Sequence, residues 1–115
     1  MADKCLFCKI AAGEIPSTEV YSDDELYAFR DINPGAPTHV LIIPREHIPK
    51  ITDATPEHEA LLGRMFLKGN EIAEREGLAQ DGFRYVMNCG KHAGQDVFHI
   101  HLHLLGGRAF SWPPG

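Results

Sequence analysis

Three features of the sequence predict an α+β fold built on a mainly antiparallel sheet. Apolar residues alternate with polar ones in about five short stretches, and helical spacing appears in only two. Only one of the two helical stretches is long enough to cross over between parallel strands, so the strands must be joined by hairpins and loops. The 115 residues, 43% hydrophobic and 23% charged, suit one globular domain spanning 1–115 around one core.

Taken in order, Asp3 is placed to cap a short helix in which Leu6, Phe7 and Ile10 recur at helical spacing, and Gly13 is placed to close it in the left-handed conformation. Cys5 and Cys8 then share one side of that helix. Glu19-Val-Tyr and Leu26-Tyr-Ala-Phe-Arg, separated by the polar turn Ser22-Asp-Asp-Glu, read as a hairpin. After the Pro/Gly loop Asp31 to Pro37, the β-branched and aliphatic run from Thr38 to Ile43 reads as a strand that Pro44 ends, with His39 at its entrance. Thr55 caps the long helix and Pro56 takes its first position, while Leu61, Leu62, Met65, Phe66, Ile72 and Ala73 form one apolar face up to Gly77. His58, in the first turn, and His92 read as solvated surface residues.

Phe83 to Asn88 returns to strand character, and Asn88 either stops the sheet or reaches a pocket. A loop from Cys89 to Asp96 contains Gly90 and Gly94, and the last strand is read from Val97 to Leu105. Arg108 reads as the partner of a surface ion pair. The tail Phe110-Ser-Trp-Pro-Pro-Gly is apolar but too proline-rich for a helix or central strand, so Trp112 is expected to pack on another surface.

The formal charge of -5 and the absence of a Lys/Arg block argue against a nucleic-acid partner, which needs a basic stripe. A small phosphate ligand stays open, because backbone N–H groups, one Arg and imidazoles suffice to hold it. MADKCLFCKI is too charged and too short in its apolar run for a secretory signal, and no apolar run approaches membrane-spanning length. A cytoplasmic protein without a membrane partner is therefore expected. Three cysteines, an odd number, speak for reduced thiols or a metal rather than a disulfide framework.

The chemistry concentrates in His99-Ile-His-Leu-His-Leu-Leu-Gly-Gly-Arg. On a strand the three imidazoles of His99, His101 and His103 would share one face while Ile100, Leu102 and Leu104 enter the core. Such a row serves either to bind a metal or to handle a phosphoryl group through a histidine nucleophile. The central His101 is flanked on both sides, which suits it to attack phosphorus. Gly90 and Gly94, with Gln95 and Asp96, let the backbone approach a phosphate closely. A second constellation is Cys5-x-x-Cys8 with His47 and one of the strand histidines, a ligand set that tetrahedral zinc accepts. The competing reading places both cysteines in the core as small apolar residues.

His99-Ile-His-Leu-His-Leu-Leu resembles the defining motif of the histidine triad family, and Trp112-Pro-Pro-Gly is similar to the end of its Hint branch. Glu14-Ile-Pro, Phe29-Arg-Asp-Ile, Ala36-Pro-Thr-His, Ile43-Pro-Arg-Glu-His and Gly94-Gln extend the resemblance over nearly the whole chain. It implies the histidine triad fold, a five-stranded antiparallel sheet with two helices, and a homodimer with a continuous ten-stranded sheet. The implied activity is hydrolysis of purine nucleoside 5′-phosphoramidates such as AMP-lysine or AMP-NH2, through a nucleotidyl adduct on His101. His103 would bind a phosphate oxygen and His39 would join the imidazole network, completing the implied catalytic group. Asp31 would bond the ribose hydroxyls, Phe29 and Ile32 would line the purine slot, and Asn88, Gly94, Gln95, Asp96 and Val97 would contact phosphate. Trp112 would reach the partner's site.

Two departures distinguish this chain. Animal members of the branch carry Ser where Asp96 stands, a hydroxyl held to help the leaving amine depart, and a carboxylate donates no proton at ordinary pKa. Those members also lack the cysteine pair, which several bacterial relatives use with a distant His and the first triad His to bind structural zinc. Cys5, Cys8, His47 and His99 match that set, and no magnesium requirement is expected. The alternatives are a dinucleoside polyphosphate hydrolase, which the Trp-Pro-Pro-Gly end disfavours, a zinc-stabilised nucleotide-binding module with little turnover, and a metallohydrolase using the three triad imidazoles as ligands.

Overall fold

The computed structural model describes residues 5–115, so the predicted Asp3 cap lies outside the described residues. The first helix, α1 (Leu6–Ala11), starts on extended Cys5, whose Sγ accepts the Cys8 N–H at 3.4 Å. A helix of six residues has too few internal hydrogen bonds to persist alone. It is held by Phe7 and Ile10, which pack with Tyr27, Phe29, Leu41 and Ile43. Gly13 follows at φ 79°, the left-handed conformation expected of it.

Five strands form one antiparallel sheet: β1 (Glu19–Ser22), β2 (Leu26–Arg30), β3 (Thr38–Pro44), β4 (Phe83–Val86) and β5 (Leu102–Gly106), in the order β1-β2-β3-β5-β4. The period of two divides their side chains between two faces. Leu26, Ala28, Val40, Ile42, Leu102 and Leu104 enter one core layer, under the long helix, and Tyr27, Phe29, Leu41 and Ile43 enter the other, under α1. His103 stands opposite Leu41, and Leu41 opposite Phe29, so this imidazole lies on the α1 face.

The predicted histidine strand is shorter than expected, because β5 starts at Leu102 and not at Val97. Continuing the β3–β5 register from Ile42↔Leu102 would set Pro44 against Ile100, and proline has no N–H to give. Ile100 N–H instead donates to Ile48 O at 2.8 Å, and the Pro44 carbonyl accepts from the His99 ring. His99 and His101 therefore precede the strand, and only His103 belongs to it. Likewise β4 stops at Val86, two residues before Asn88.

Thr55 and Pro56 open a short 3-10 turn, Pro56–His58, that leads into α2 (Glu59–Arg75). His58 is not solvated as expected: its side chain is 16% exposed, its Nδ1 accepts from Thr55 N–H and its Nε2 faces the Glu46 carboxylate at 2.8 Å. Met65, Ile72 and Ala73 are buried and Leu61 and Leu62 pack partly, but Phe66 is 44% and Leu67 64% exposed. Phe66 thus leaves the predicted core face. Arg108 makes no ion pair among the described residues; its guanidinium donates to Gly35 O and Ala109 O and lies 4.3 Å over the Phe110 ring. Trp112, expected to pack, is 80% exposed in this single chain. No helix among the described residues is long and apolar enough to cross a membrane.

Candidate active site

Backbone groups fix the tautomers of His101 and His39, and His39 fixes that of His103. His101 Nδ1 lies 2.8 Å from the His99 carbonyl, and since a carbonyl only accepts, the ring proton sits on Nδ1 and Nε2 keeps its lone pair. The Gly35 N–H donates to His39 Nδ1 at 2.9 Å, which leaves the proton of the neutral His39 ring on Nε2. That Nε2–H donates to His103 Nδ1 at 2.8 Å, so His103 must carry its own proton on Nε2. His103 Nε2 is buried without a protein partner, a donor that awaits an acceptor. Burial holds His103 neutral, with its pKa down at about 4, and the His101 and His39 rings push the same way. Burial also lowers His39, against the opposing pull of the Asp31 carboxylate 3.5 Å away.

The His101 and His103 rings face a cavity of about 410 Å³ on the α1 side of the sheet, which His39 reaches only through its hydrogen bond to His103. His101, His103, Asp31, Asp96 and Val97 line it together with the apolar Phe29, Ile32, Ile15 and Pro16. Ile32, 91% exposed, is the outermost of these apolar groups. The cavity therefore offers a ring nitrogen with a free lone pair, a hydrogen-bond donor, two carboxylates and apolar walls.

The three triad imidazoles do not form the single row expected of a strand. His99 turns away to a different group: its Nε2 donates to Pro44 O at 2.7 Å, which directs the Nδ1 lone pair toward Cys5 and Cys8 Sγ, each at 3.4 Å. His47 Nδ1 lies 3.4 Å from Cys8 Sγ and 3.3 Å from His99 Nδ1. Cys5, Cys8, His47 and His99 thus gather four donor atoms within 4.8 Å of one another, a group able to hold a metal ion. Burial drives the His99 pKa down to about 4 and that of Cys8 up to about 11, the thiol being raised further by neighbouring Cys5. Both shifts favour uncharged groups until a cation arrives to stabilise a thiolate. With His99 committed there, no tris-imidazole metal centre forms among the described residues.

The loop before the triad divides its roles. Gly94 takes φ 80°, and Gln95 is buried, its Oε1 accepting from Gly90 N–H and its Nε2 donating to Pro49 O and Val97 O. Gln95 therefore braces the loop with both polar atoms of its side chain engaged. Asn88 is half-buried and is not part of the cavity wall, and Trp112 stands away from it. Sequence reasoning missed Phe7 and Gly35. Phe7 presents its ring edge-on to His99 at 6.2 Å and to His101 at 5.0 Å between centroids. Its position between Cys5 and Cys8 was the available signal, since any site that gathers both cysteines draws in the residue between them.

A five-stranded antiparallel sheet that presents backbone-fixed imidazoles to one nucleotide-sized cavity defines a class of histidine-centred phosphoryl chemistry, and the chain belongs to the HIT domain family, whose sequence pattern matches residues 12–110. It is 56% identical over 108 residues to the purine nucleoside phosphoramidase of Escherichia coli strain K12, covering 94% of this chain and 91% of that one. The crystal structure of a HIT family hydrolase from Legionella pneumophila superposes with a TM-score of 0.96 at 53% identity, covering 97% of this chain and all of the other. A histidine triad protein from Clostridium difficile gives 0.91 at 44% identity over 93% of each chain.

Proposed function

We propose that this chain hydrolyses purine nucleoside 5′-phosphoramidates of the AMP-lysine or AMP-NH2 type through a covalent nucleotidyl adduct on His101. The observation that carries the proposal is the paired tautomer assignment, a free lone pair on His101 Nε2 beside the unpartnered N–H of His103 Nε2. His101 Nε2 attacks phosphorus and the P–N bond breaks, its electron pair leaving with the amine, which takes a proton from water. A second in-line displacement by water then breaks the P–Nε2 bond and frees the nucleotide. His103 Nε2–H donates to a phosphoryl oxygen as charge builds there, and the neutral His39 holds that ring in place. Phe29 and Ile32 flank the purine, Asp31 bonds the ribose hydroxyls, and Asp96, Val97, Gly94 and Asn88 belong to the phosphate end.

The metal group takes zinc in this reading. Tetrahedral zinc, about 2.3 Å from sulfur and about 2.0–2.1 Å from nitrogen, gives N···N edges of about 3.3–3.4 Å and S···N edges of about 3.5–3.6 Å. The edges here are 3.3 Å and 3.4 Å, and the His99 Nε2–H on Pro44 O is the outer hydrogen bond that metal-bound histidines usually make. Zinc would add structural strength and supply no reacting group. The chain also acts as a homodimer, with the face around Phe66, β4 and Trp112 shared between two copies.

Incubation with AMP-lysine and, separately, with a dinucleoside polyphosphate tests the activity. Release of lysine at a rate far above cleavage of the anhydride is expected. His101→Ala should lose on the order of 10³-fold or more in turnover while still binding AMP, and acid-quenched wild type should carry the adduct. Faster cleavage of the anhydride, or near-normal turnover by His101→Ala, overturns the proposal.

A further inference from the structure

We propose that the Cys5, Cys8, His47 and His99 group is a clasp whose closure by a bound metal positions both the nucleophile His101 and the helical wall of the nucleotide cavity. The inference rests on the proposed activity, and concerns what holds that site in shape. Cys5 caps α1 and Cys8 lies in its first turn, whereas His47 follows β3 and His99 precedes β5. A metal bound by all four therefore joins α1 to the segment that carries the triad.

Two physical routes lead from this joint to the reacting atoms. The first runs through His99, whose ring is a ligand and whose own carbonyl fixes His101 Nδ1–H at 2.8 Å. Movement of His99 moves the acceptor that sets the tautomer and orientation of the nucleophile. The second runs through α1, where Leu6 and Phe7 lie between the two cysteines in sequence and both line the cavity. Phe7 also abuts the His101 ring edge-on, at an interplanar angle of 88°. The metal end of this short helix thus sets where Phe7 stands against the nucleophile, and its other end is tied by Arg45 Nη1 donating to Ala11 O at 2.8 Å. Without metal, no coordination bond joins the two sulfurs to the two ring nitrogens at the first end, and a helix of six residues does not persist on its own hydrogen bonds. Cys5, Cys8 and His47 are on this account positioning residues. None of them needs to touch substrate.

The test compares zinc-loaded protein with protein stripped by a chelator under reducing conditions, and with Cys8→Ser. Hydrogen exchange of the amides from Lys9 to Gly13, AMP affinity by calorimetry and the single-turnover rate of adduct formation at saturating substrate are read on each. Stripping should speed α1 exchange roughly tenfold or more, weaken AMP roughly tenfold, and slow the saturated adduct step by a similar factor, while β2, β3 and β5 stay protected. Zinc or cobalt added back to the stripped wild type should restore all three, and neither should restore Cys8→Ser. Unchanged α1 exchange with AMP affinity and rate within about twofold overturns the clasp. Loss of sheet protection together with α1 also overturns it, because the metal then holds the whole fold and not this wall. Exchange and AMP affinity need no turnover, so a chain that cleaves no phosphoramidate refutes the proposed activity and leaves the clasp to be judged on those two readings.

Discussion

At the scale of single residues, the site depends on keeping imidazoles neutral, and this has a consequence for stability. His103 is held at a pKa of about 4 in the folded chain against the ordinary value of 6.5 that it regains on unfolding. Between these values the unfolded chain binds the additional proton, so the folded state loses stability as the pH falls from 6.5 toward 4 and keeps it above 6.5. His39 is lowered in the same direction by burial and adds to the slope. Denaturant unfolding of wild type and His103→Asn, followed from pH 7 to pH 4.5, reads the contribution of His103 together with its coupling to the His39 and His101 rings, while groups distant from it cancel in the difference. Wild type should weaken more steeply on acidification than the variant. Parallel pH profiles would show that His103 is not held neutral by burial. His39 was read as a member of an imidazole network from resemblance alone, and the reason for its place lies in the Gly35 N–H, which no spacing in the sequence reveals.

At the scale of elements, the long helix approaches the sheet at Gly69, where a built Cβ would lie 2.5 Å from Tyr85 Oη and 2.8 Å from its Cε1. Alanine there gains about 0.5–1 kcal/mol in helix propensity but overpacks a filled contact, which typically costs about 1–3 kcal/mol. Gly69→Ala should therefore be destabilised in denaturant unfolding, and Tyr85→Leu should recover part of the loss in the double variant. A stabilised Gly69→Ala would mean that α2 slides away from β4 easily. The hairpin of β1 and β2, the β3 run ended by Pro44 and the Thr55-Pro56 helix start were legible because local signals (alternation, proline, capping) decide them. The start of β5 was not, since it depends on Pro44 standing opposite Ile100, a pairing that only the register defines. The same limit hid the split of the triad: a period of two places three imidazoles on one side, but the hydrogen bond from His99 Nε2 to Pro44 O turns the first of them to the thiols. Cys5, Cys8, His47 and His99 were foreseeable as a ligand set from residue type and resemblance, whereas the apolar character of Phe7 reads as ordinary core and only its place between Cys5 and Cys8 ties it to the site.

At the scale of the whole molecule, β4 pairs among the described residues only with β5, so its other side is an open sheet edge there. Phe66 packs its ring against Tyr85 of that strand at 5.2 Å and remains 44% exposed, with Leu67, 64% exposed, beside it on α2. Arg84 on the same strand donates to Ser111 O and stacks on Phe110, bringing the tail that carries Trp112 to this side. An open edge, an apolar helix surface and an apolar tail thus adjoin, a combination that a soluble monomer seldom leaves uncovered. A second copy related by a two-fold axis would cover all three at once, with the two open edges paired into one sheet. Sedimentation at micromolar concentration should give twice the chain mass of 12.8 kDa. Leu67→Glu places a carboxylate in the centre of this face and should shift the protein to monomer, with the AMP cavity intact because it lies on the α1 side of the sheet. Trp112→Ala should leave the dimer in place and slow turnover of AMP-lysine if the tail reaches the partner's site as the family resemblance implies. A wild-type monomer at micromolar concentration, or a Leu67→Glu variant that still sediments as a dimer, would place the pairing surface elsewhere or remove it.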